Sequence, residues 1–329
     1  MSVLVTGGAG YIGSHTVLNF LDAGETPIVV DNLSTGFDWL VPEGVPFYQL
    51  DIADKDAVTD IMLAHKVDTV IHFAGSIILP ESIENPLKYY RNNTANSLGL
   101  MEAAVAANVK HFVFSSTAAV YGLPDSVPVA ETAPLRPQAP YGTSKLMTEQ
   151  MLLDVANAHD LTITALRYFN VAGADPRGRA GQATHNATNL IKVACEAATG
   201  KRSSMTVFGH DYDTPDGTAI RDYIHVSDLA MAHRLAVERM RHGGGNLIVN
   251  CGYGRGFSVL DVVRAVKKAS GSDFAVELGE RRPGDCPEVV AQSTLARTEL
   301  DWKPELDTID QIVGDAYRWE DSLTRRNRV

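Results

Sequence analysis

A glycine cluster between a first apolar run and a first helical stretch constrains this chain more than any other feature. It reads Val3-Leu4-Val5-Thr6-Gly7-Gly8-Ala9-Gly10-Tyr11-Ile12-Gly13. Gly7 permits a tight turn out of a strand, Gly10 lets backbone amides approach a pyrophosphate, and Gly13 lets helix and strand pack closely. Ordinary turns use glycines too; the strand–turn–helix setting is what makes this one a dinucleotide loop. Asp31 ends the second apolar run, some twenty residues on, where a carboxylate accepts from both adenosine ribose hydroxyls. It would repel the extra phosphate of NADP, so NAD is the expected cofactor. Asp51 and Ile52, after the third run, are expected beside the adenine.

The remaining pattern agrees with such a loop. Strands are expected at Val3–Thr6, Pro27–Val30, Pro46–Leu50, Thr69–Phe73, His111–Ser115 and Thr162–Arg167, with amphipathic helices between them. Continuous apolar strands alternating with helices indicate a parallel sheet covered on both faces. The fold class is therefore α/β, a doubly wound Rossmann-type sheet over residues 1–175. After about residue 175 the rhythm loosens into Gly-, Pro- and Asp-bearing loops such as Gly209–Thr218 and Gly279–Pro287. Shorter strands are expected there at Leu247–Asn250 and Phe274–Leu278. Residues 176–329 read as a smaller C-terminal α/β substrate-binding region, from which the Ser227–Arg241 helix could return to the sheet.

Composition narrows the partners. Lys and Arg number 29 against 40 Asp and Glu, a net charge of −11, which argues against nucleic acid. A phosphorylated small molecule remains open, because it needs only a few local cations or amides. No run approaches the ~20 apolar residues of a membrane span. Nor does the opening Met1-Ser2-Val3 carry the basic region and cleavage site of a signal peptide. Cys195, Cys251 and Cys286 are odd in number and far apart, without disulfide or metal-ligand spacing, and the histidines show no paired spacing. A cytoplasmic protein without a metal is the expectation.

The chemistry concentrates in Tyr141-Gly142-Thr143-Ser144-Lys145, where a phenol and an ammonium four residues apart share one helix face. A phenol titrates near pH ~10 and must come down to act as a base. A unit positive charge at ~4 Å is worth about 4 kcal/mol at an effective dielectric of ~20, roughly three pKa units. Thr117, just after the fifth strand, can supply the hydroxyl that completes a Thr–Tyr–Lys set at the carboxyl edge of the sheet.

With these residues the chain resembles the UDP-glucose 4-epimerase family of extended short-chain dehydrogenases. The likeness is carried by Gly7–Gly13, His72-Phe73-Ala74-Gly75, Tyr141–Lys145, Tyr168-Phe169-Asn170 and Asp216–Val226, in order along the chain. It implies that Tyr141 removes the sugar 4-hydroxyl proton while C4 gives hydride to NAD. The 4-keto sugar then turns over about its phosphate linkage and takes the hydride back on its other face. Thr117 would hold the 4-oxygen and Lys145 the nicotinamide ribose. Cofactor contacts are implied for Tyr11, Ile12, Asn32, Phe73, Ala74, Gly75, Asn93 and Tyr168, alongside Gly7, Gly10, Gly13, Asp31, Asp51, Ile52, Tyr141 and Lys145. On the substrate side the resemblance implies Asn170, Asn189, Leu190, Phe208, Arg221, Tyr223, Arg282, Asp285 and Val289. Their chemistry suits UDP: two arginines for a diphosphate, amides and a carboxylate for uridine, an aromatic to pack on the base.

The sequence also separates competing functions. Dehydratases of similar fold carry carboxylates directly after the Ser/Thr position, where this chain has Ala118 and Ala119. A UDP-glucuronate epimerase would need a further site for the sugar carboxylate, and a mere NAD sensor would not need Tyr141, Lys145 and Thr117 together. Family members often have a cofactor-contacting lysine where this chain has Ile77. Val289 stands where a tyrosine crowds the C2 substituent in relatives, so UDP-N-acetylglucosamine is an alternative or additional substrate. The resemblance suggests a homodimer through the helices spanning Asn93–Ala107 and Tyr141–His159.

Overall fold

The computed structural model describes residues 2–184, 187–282 and 285–326. Pro283 and Gly284 of the expected Gly279–Pro287 loop lie outside the described residues. The first part of the chain supplies β1 (Val3–Thr6), α1 (Tyr11–Asp22), β2 (Ile28–Asp31), β3 (Phe47–Gln49), α2 (Lys55–Ala64) and β4 (Thr69–His72). Then follow α3 (Leu79–Glu84), α4 (Pro86–Tyr89), α5 (Asn96–Ala106), β5 (His111–Thr117), α6 (Pro140–Ala158), β6 (Thr162–Tyr168) and β7 (Asn170–Ala172). The rest comprises α7 (Leu190–Ala198), β8 (Ser204–Phe208), β9 (Ile220–His225), α8 (Val226–Arg241), β10 (Leu247–Cys251) and β11 (Gly256–Ser258). It ends with α9 (Val259–Ser270), β12 (Ala275–Gly279), β13 (Glu288–Val289), α10 (Thr294–Glu299) and α11 (Ile309–Arg326).

Seven parallel strands form the main sheet in the order β10-β6-β5-β4-β1-β2-β3. The chain winds outward from β1 in one direction and from β4 in the other. The crevice at their carboxyl ends is thus the switch point where such sheets bind ligands. Strand residues alternate between two cores. Val5, Val29 and Ile71 pack with Val17 and Phe20 of α1 and Leu229 of α8. Leu4, Val30 and Val70 pack on the opposite face with Met62, Leu100 and Leu152 of α2, α5 and α6. Burial on both faces explains why these strands read as continuous apolar runs.

α8 packs on α1 and against β5 and β6, and β10 closes the sheet beside β6. Residues 226–251 therefore belong in space to the nucleotide-binding layer, although in sequence they fall beyond residue 175. The expected strand at Leu247–Asn250 is a main-sheet strand.

Around β9 a small sheet forms, with β11 antiparallel to it and β7 and β13 parallel. β8 and β12 pair separately. Between α4 and α5, residues Tyr90–Ala95 form one π-helical turn, where the sequence pattern predicts ordinary helix. Among the described residues no helix is long and apolar enough to cross a membrane.

Candidate active site

The glycine turn leaves no room for side chains. A Cβ on Gly13 would stand 2.1 Å from the Gly7 carbonyl oxygen. Gly7 has φ +72°, and a Cβ there would meet the Ala74 nitrogen at 2.7 Å. The β1–α1 turn thus lies directly on the backbone after β4. Gly10 caps α1 without any side-chain bond, so the helix presents its first amides to the crevice. Tyr11 donates its hydroxyl to the Gly173 carbonyl at 2.7 Å, tying the turn to the segment beyond β7, and Ile12 packs on the core.

Asp31 ends β2 as expected, buried, and accepts from the Ala9 amide at 3.0 Å and the Leu33 amide at 2.8 Å. Burial pushes its carboxyl up from the ordinary value, and the two amides oppose that. Two donors leave lone pairs free for ribose hydroxyls. At the neighbouring strand end Asn32 donates to Asp51 at 2.8 Å, while Ile52 is buried beneath. The Phe73 ring packs on His233 of α8, 4.7 Å between centroids, and its backbone borders the glycine turn. A Cβ on Gly75 would stand 3.0 Å from Asn93 Oδ1 and 3.7 Å from Lys145 Nζ. The π turn sets Asn93 there, where it accepts from the Ser76 amide at 2.7 Å and donates to the Ser76 carbonyl and the Ser144 hydroxyl. A glycine cradle, a buried carboxylate and a close-packed Gly75–Asn93–Lys145 corner fit an extended dinucleotide.

Tyr141, Lys145 and Thr117 meet, buried, at the carboxyl end of β5. Pro140 opens α6, so Tyr141 and Lys145 lie in its first turns on one inward face. Burial raises the Tyr141 phenol above its ordinary value, with hydrogen bonding to the Thr117 hydroxyl opposing it. Lys145 is pushed down to about 8 by burial, against the pull of Glu149. Its ammonium donates to the Ser115 carbonyl at 3.0 Å and stands 4.8 Å from the Phe114 ring centre. The sequence reading assigns the lowering of the phenol to Lys145 together with the cationic nicotinamide; within the protein the Thr117 bond opposes the burial. Tyr168 accepts from the Ser115 hydroxyl at 3.0 Å, beside this group.

The substrate-side residues fall into two sets. Asn170, Asn189, Leu190 and Tyr223 line one cavity with Gln182, Lys192 and Trp319. Asn170 sits opposite Tyr223 in the β7–β9 register, and Asn189 and Leu190 begin α7. The others come from strands and one loop: Phe208 ends β8, Arg221 lies in β9, Val289 in β13, and Arg282 and Asp285 on the loop after β12. Arg221 is ion-paired with Asp285, and the Arg282 guanidinium stacks 4.3 Å from the centre of the Phe208 ring. Val289 lies opposite Arg221 in the β9–β13 register and packs on the buried cluster that includes Tyr121 and Phe169.

Sequence reasoning missed the support under this site. Glu149, Arg167 and Ser116 form a buried cluster beneath Lys145 and Thr117. The spacing Tyr141-x3-Lys145-x3-Glu149 is the signal that could have found Glu149, since it continues the same helix face.

Comparison with known proteins decides the family. Residues 3–252 match the model of the NAD dependent epimerase/dehydratase family. The chain belongs to that family. A UDP-glucose 4-epimerase from Azospirillum brasilense is 56% identical over 321 residues, covering 98% of this chain and 92% of that protein. The crystal structure of UDP-glucose 4-epimerase from Brucella ovis in complex with NAD superposes with a TM-score of 0.95 at 43% identity, covering 97% of this chain and 98% of that one. The UDP-Glc/GlcNAc 4-epimerase from Campylobacter jejuni is 44% identical with a TM-score of 0.86, covering 98% and 99% of the two chains. The resemblance to the UDP-glucose 4-epimerases thus extends along the whole chain, and the cofactor of this family member is NAD.

The buried Asp31 carboxylate sets the first expectation. Nucleotide extraction followed by reconstitution should give at least about tenfold more activity with NAD than with NADP, through like-charge repulsion. Equal activity with the two would remove Asp31 from the ribose site.

Proposed function

We propose that this protein interconverts UDP-glucose and UDP-galactose through a transient 4-keto sugar. The observation that carries this reading is the buried meeting of Tyr141, Thr117 and Lys145 beside the Gly75–Asn93 corner at the switch point of the sheet. NAD supplies a reversible hydride acceptor for C4 when bound there, and it is regenerated in every turnover. Tyr141 takes the 4-hydroxyl proton and later returns it, while Thr117 holds the 4-oxygen. A phenol in a dry site resists losing its proton; the Thr117 hydroxyl opposes that, and we assign the rest of the pull toward the phenolate to the Lys145 charge together with that of the bound nicotinamide. Lys145 and Asn93 hold the nicotinamide side, and Asp31, Asn32, Asp51 and Ile52 hold the adenosine.

Arg221 and Arg282 hold the diphosphate, for which their forked donors are suited. Asp285 and Phe208, already against those arginines, take the uridine with Asn170 and Asn189. The small residues Ala118 and Ala119 after Thr117 leave room for the keto sugar to turn over, and offer no carboxylate for elimination. We also place the protein in the cytoplasm. It acts as a homodimer, supported by exposed Leu98 and Met147 on the helices named for that role and by Ile83 and Leu87 on adjoining α3 and α4. A monomeric mass by sedimentation at micromolar concentration would overturn the dimer.

A second substrate is favoured by Val289. It is far smaller than tyrosine and packs on the same buried cluster as Ala118, the residue after Thr117, which suits an N-acetyl group at C2.

Replacing the phenol tests the first reading. Tyr141→Phe should retain NAD and fall about 10²–10⁴-fold in turnover, the usual cost of losing an acid/base group. Near-full activity in a folded variant would exclude Tyr141 as the base. For the pocket, wild type and Val289→Tyr are compared on UDP-glucose and UDP-N-acetylglucosamine. Wild type should turn over both, and the tyrosine variant should lose the N-acetyl sugar by roughly 10–200-fold while keeping the plain hexose. Equal loss on both sugars, or no wild-type activity on the N-acetyl sugar, would sink the gate.

A further inference from the structure

Beneath Lys145 lies a buried ion pair that the proposed proton and hydride transfers do not use. Glu149 stands one turn after Lys145 on α6, only 2% exposed. Arg167 of β6 grips its carboxylate through Nη2 at 2.6 Å and Nε at 3.0 Å. The Ser116 hydroxyl of β5 donates to the same carboxylate. Arg167 Nη1 donates onward to the Tyr121 hydroxyl at 3.0 Å, and Tyr121 donates to Asn250 of β10 at 2.7 Å. One carboxylate thus joins α6 to β5 and β6, and through Tyr121 to the edge of the sheet.

Such a pair is a poor stabiliser in its own right, since desolvation offsets the attraction. Its location suggests another role. Ser116 sits between Ser115, whose carbonyl accepts from Lys145, and Thr117, whose hydroxyl faces Tyr141. We infer that Glu149, locked by Arg167, is a positioning residue: it clamps the end of β5 to α6 and supplies the counter-charge that keeps the Lys145 ammonium charged in a dry site. The inference rests on the Tyr141–Lys145–Thr117 reading given above.

The groups around Lys145 isolate this effect. From β4 comes His72, held between the Thr6 and Ser97 hydroxyls and kept neutral by burial, which lowers it to about 3. β5 offers the Phe114 ring and the Ser115 carbonyl, and the π turn offers Asn93. β6 offers Tyr168, bonded to Ser115, and Arg167, engaged with Glu149 and Tyr121. The Lys145 helix itself adds Tyr141 and Glu149. Of these groups only Glu149 brings negative charge. Burial drives Lys145 down and Glu149 pulls it back up, so removing the carboxylate moves the lysine further down.

The test reads Lys145 directly, by carbon NMR titration of NAD-bound enzyme labelled on lysine. In Glu149→Gln, which keeps the shape, Lys145 should bind its proton roughly tenfold more weakly than in wild type. Turnover of UDP-glucose should fall at least about tenfold with KM within about twofold, and its alkaline limb should move to lower pH with the lysine. Glu149→Asp, which restores the charge, should bring the limb back toward wild type. If the unpaired Arg167 prevents Glu149→Gln from folding, the double variant Glu149→Gln/Arg167→Met is read against Arg167→Met, which isolates the carboxylate, and its Lys145 should bind a proton more weakly than in that single variant. An unmoved lysine titration in folded Glu149→Gln against wild type, or in the double variant against Arg167→Met, overturns the inference, whatever the kcat, because a purely structural residue lowers activity at every pH alike. Wild-type protein that turns over no UDP-sugar would overturn the epimerase reading instead, and the lysine titration would still decide the role of Glu149.

Discussion

No atom separates the start of α1 from the end of β1: where residue 13 would carry a Cβ, the Gly7 carbonyl stands 2.1 Å away. That contact fixes the layout of the whole ligand-binding edge. It presses the turn onto the Phe73–Ala74 backbone after β4, so β1 and β4 exit side by side. The seven main strands are parallel, so their carboxyl ends open on one edge. Asp31 and Thr117 are the last residues of β2 and β5, and Gly75 comes three residues after β4. A cradle for a dinucleotide and a site for its chemistry are therefore consequences of one close approach and one strand direction.

Water exclusion then sets the electrostatic problem. Burial acts on Tyr141 and Lys145 in opposite directions of pKa but toward the same end, an uncharged phenol and an uncharged amine. Chemistry that needs a phenolate and an ammonium must work against both tendencies, with fixed charges and dipoles in place of solvent. The Ser115 carbonyl, the Thr117 hydroxyl and the Glu149 carboxylate are such groups, and each sits on β5 or on α6 itself. The rigidity of the β5–α6 contact is thus part of the proposed chemistry as well as of the fold.

The nucleotide half was legible because burial on both faces forces β1, β2, β4 and β5 into unbroken apolar runs, and because the glycine turn has a spacing of its own. The same logic fails for the small sheet. β9 reads Ile220-Arg221-Asp222-Tyr223-Ile224-His225, with charges inside the strand, and β13 is two residues long. Neither has the continuous apolar pattern that marks a strand from sequence. The π turn at Tyr90–Ala95 leaves no composition signal, because the wider turn depends on the tertiary bonds of Asn93 to Ser76 and Ser144. Glu149 continues the Tyr141–Lys145 helix face in sequence, but its pairing appears only when Arg167, eighteen residues later on another element, closes on it. Tyr141, Lys145, Arg221 and Arg282 were found by residue type and likeness. Which of them are paired, and with what, required the fold.

The substrate-side residues owe their arrangement to one that faces away from them. Successive side chains on a strand point to opposite faces, so Arg221 and Tyr223 share a side of β9 while Asp222 turns to the other. Asp222 is buried, and its carboxylate accepts from the amides of Tyr253 and Gly254, each at 2.9 Å, and of Ala291 at 3.1 Å. Tyr253 and Gly254 leave β10 of the main sheet, and Ala291 leaves β13 two residues after Val289. Burial raises this carboxyl, and the three amides oppose it, which favours the charged acceptor in place. One side chain therefore pins the small sheet to the large one and sets Val289 opposite Arg221. The separation of Arg221, proposed to hold the diphosphate, from Tyr141, the proposed proton acceptor, is then set by bonds to backbone amides. That is the kind of support a site needs when its reacting atoms must meet within a few tenths of an ångström.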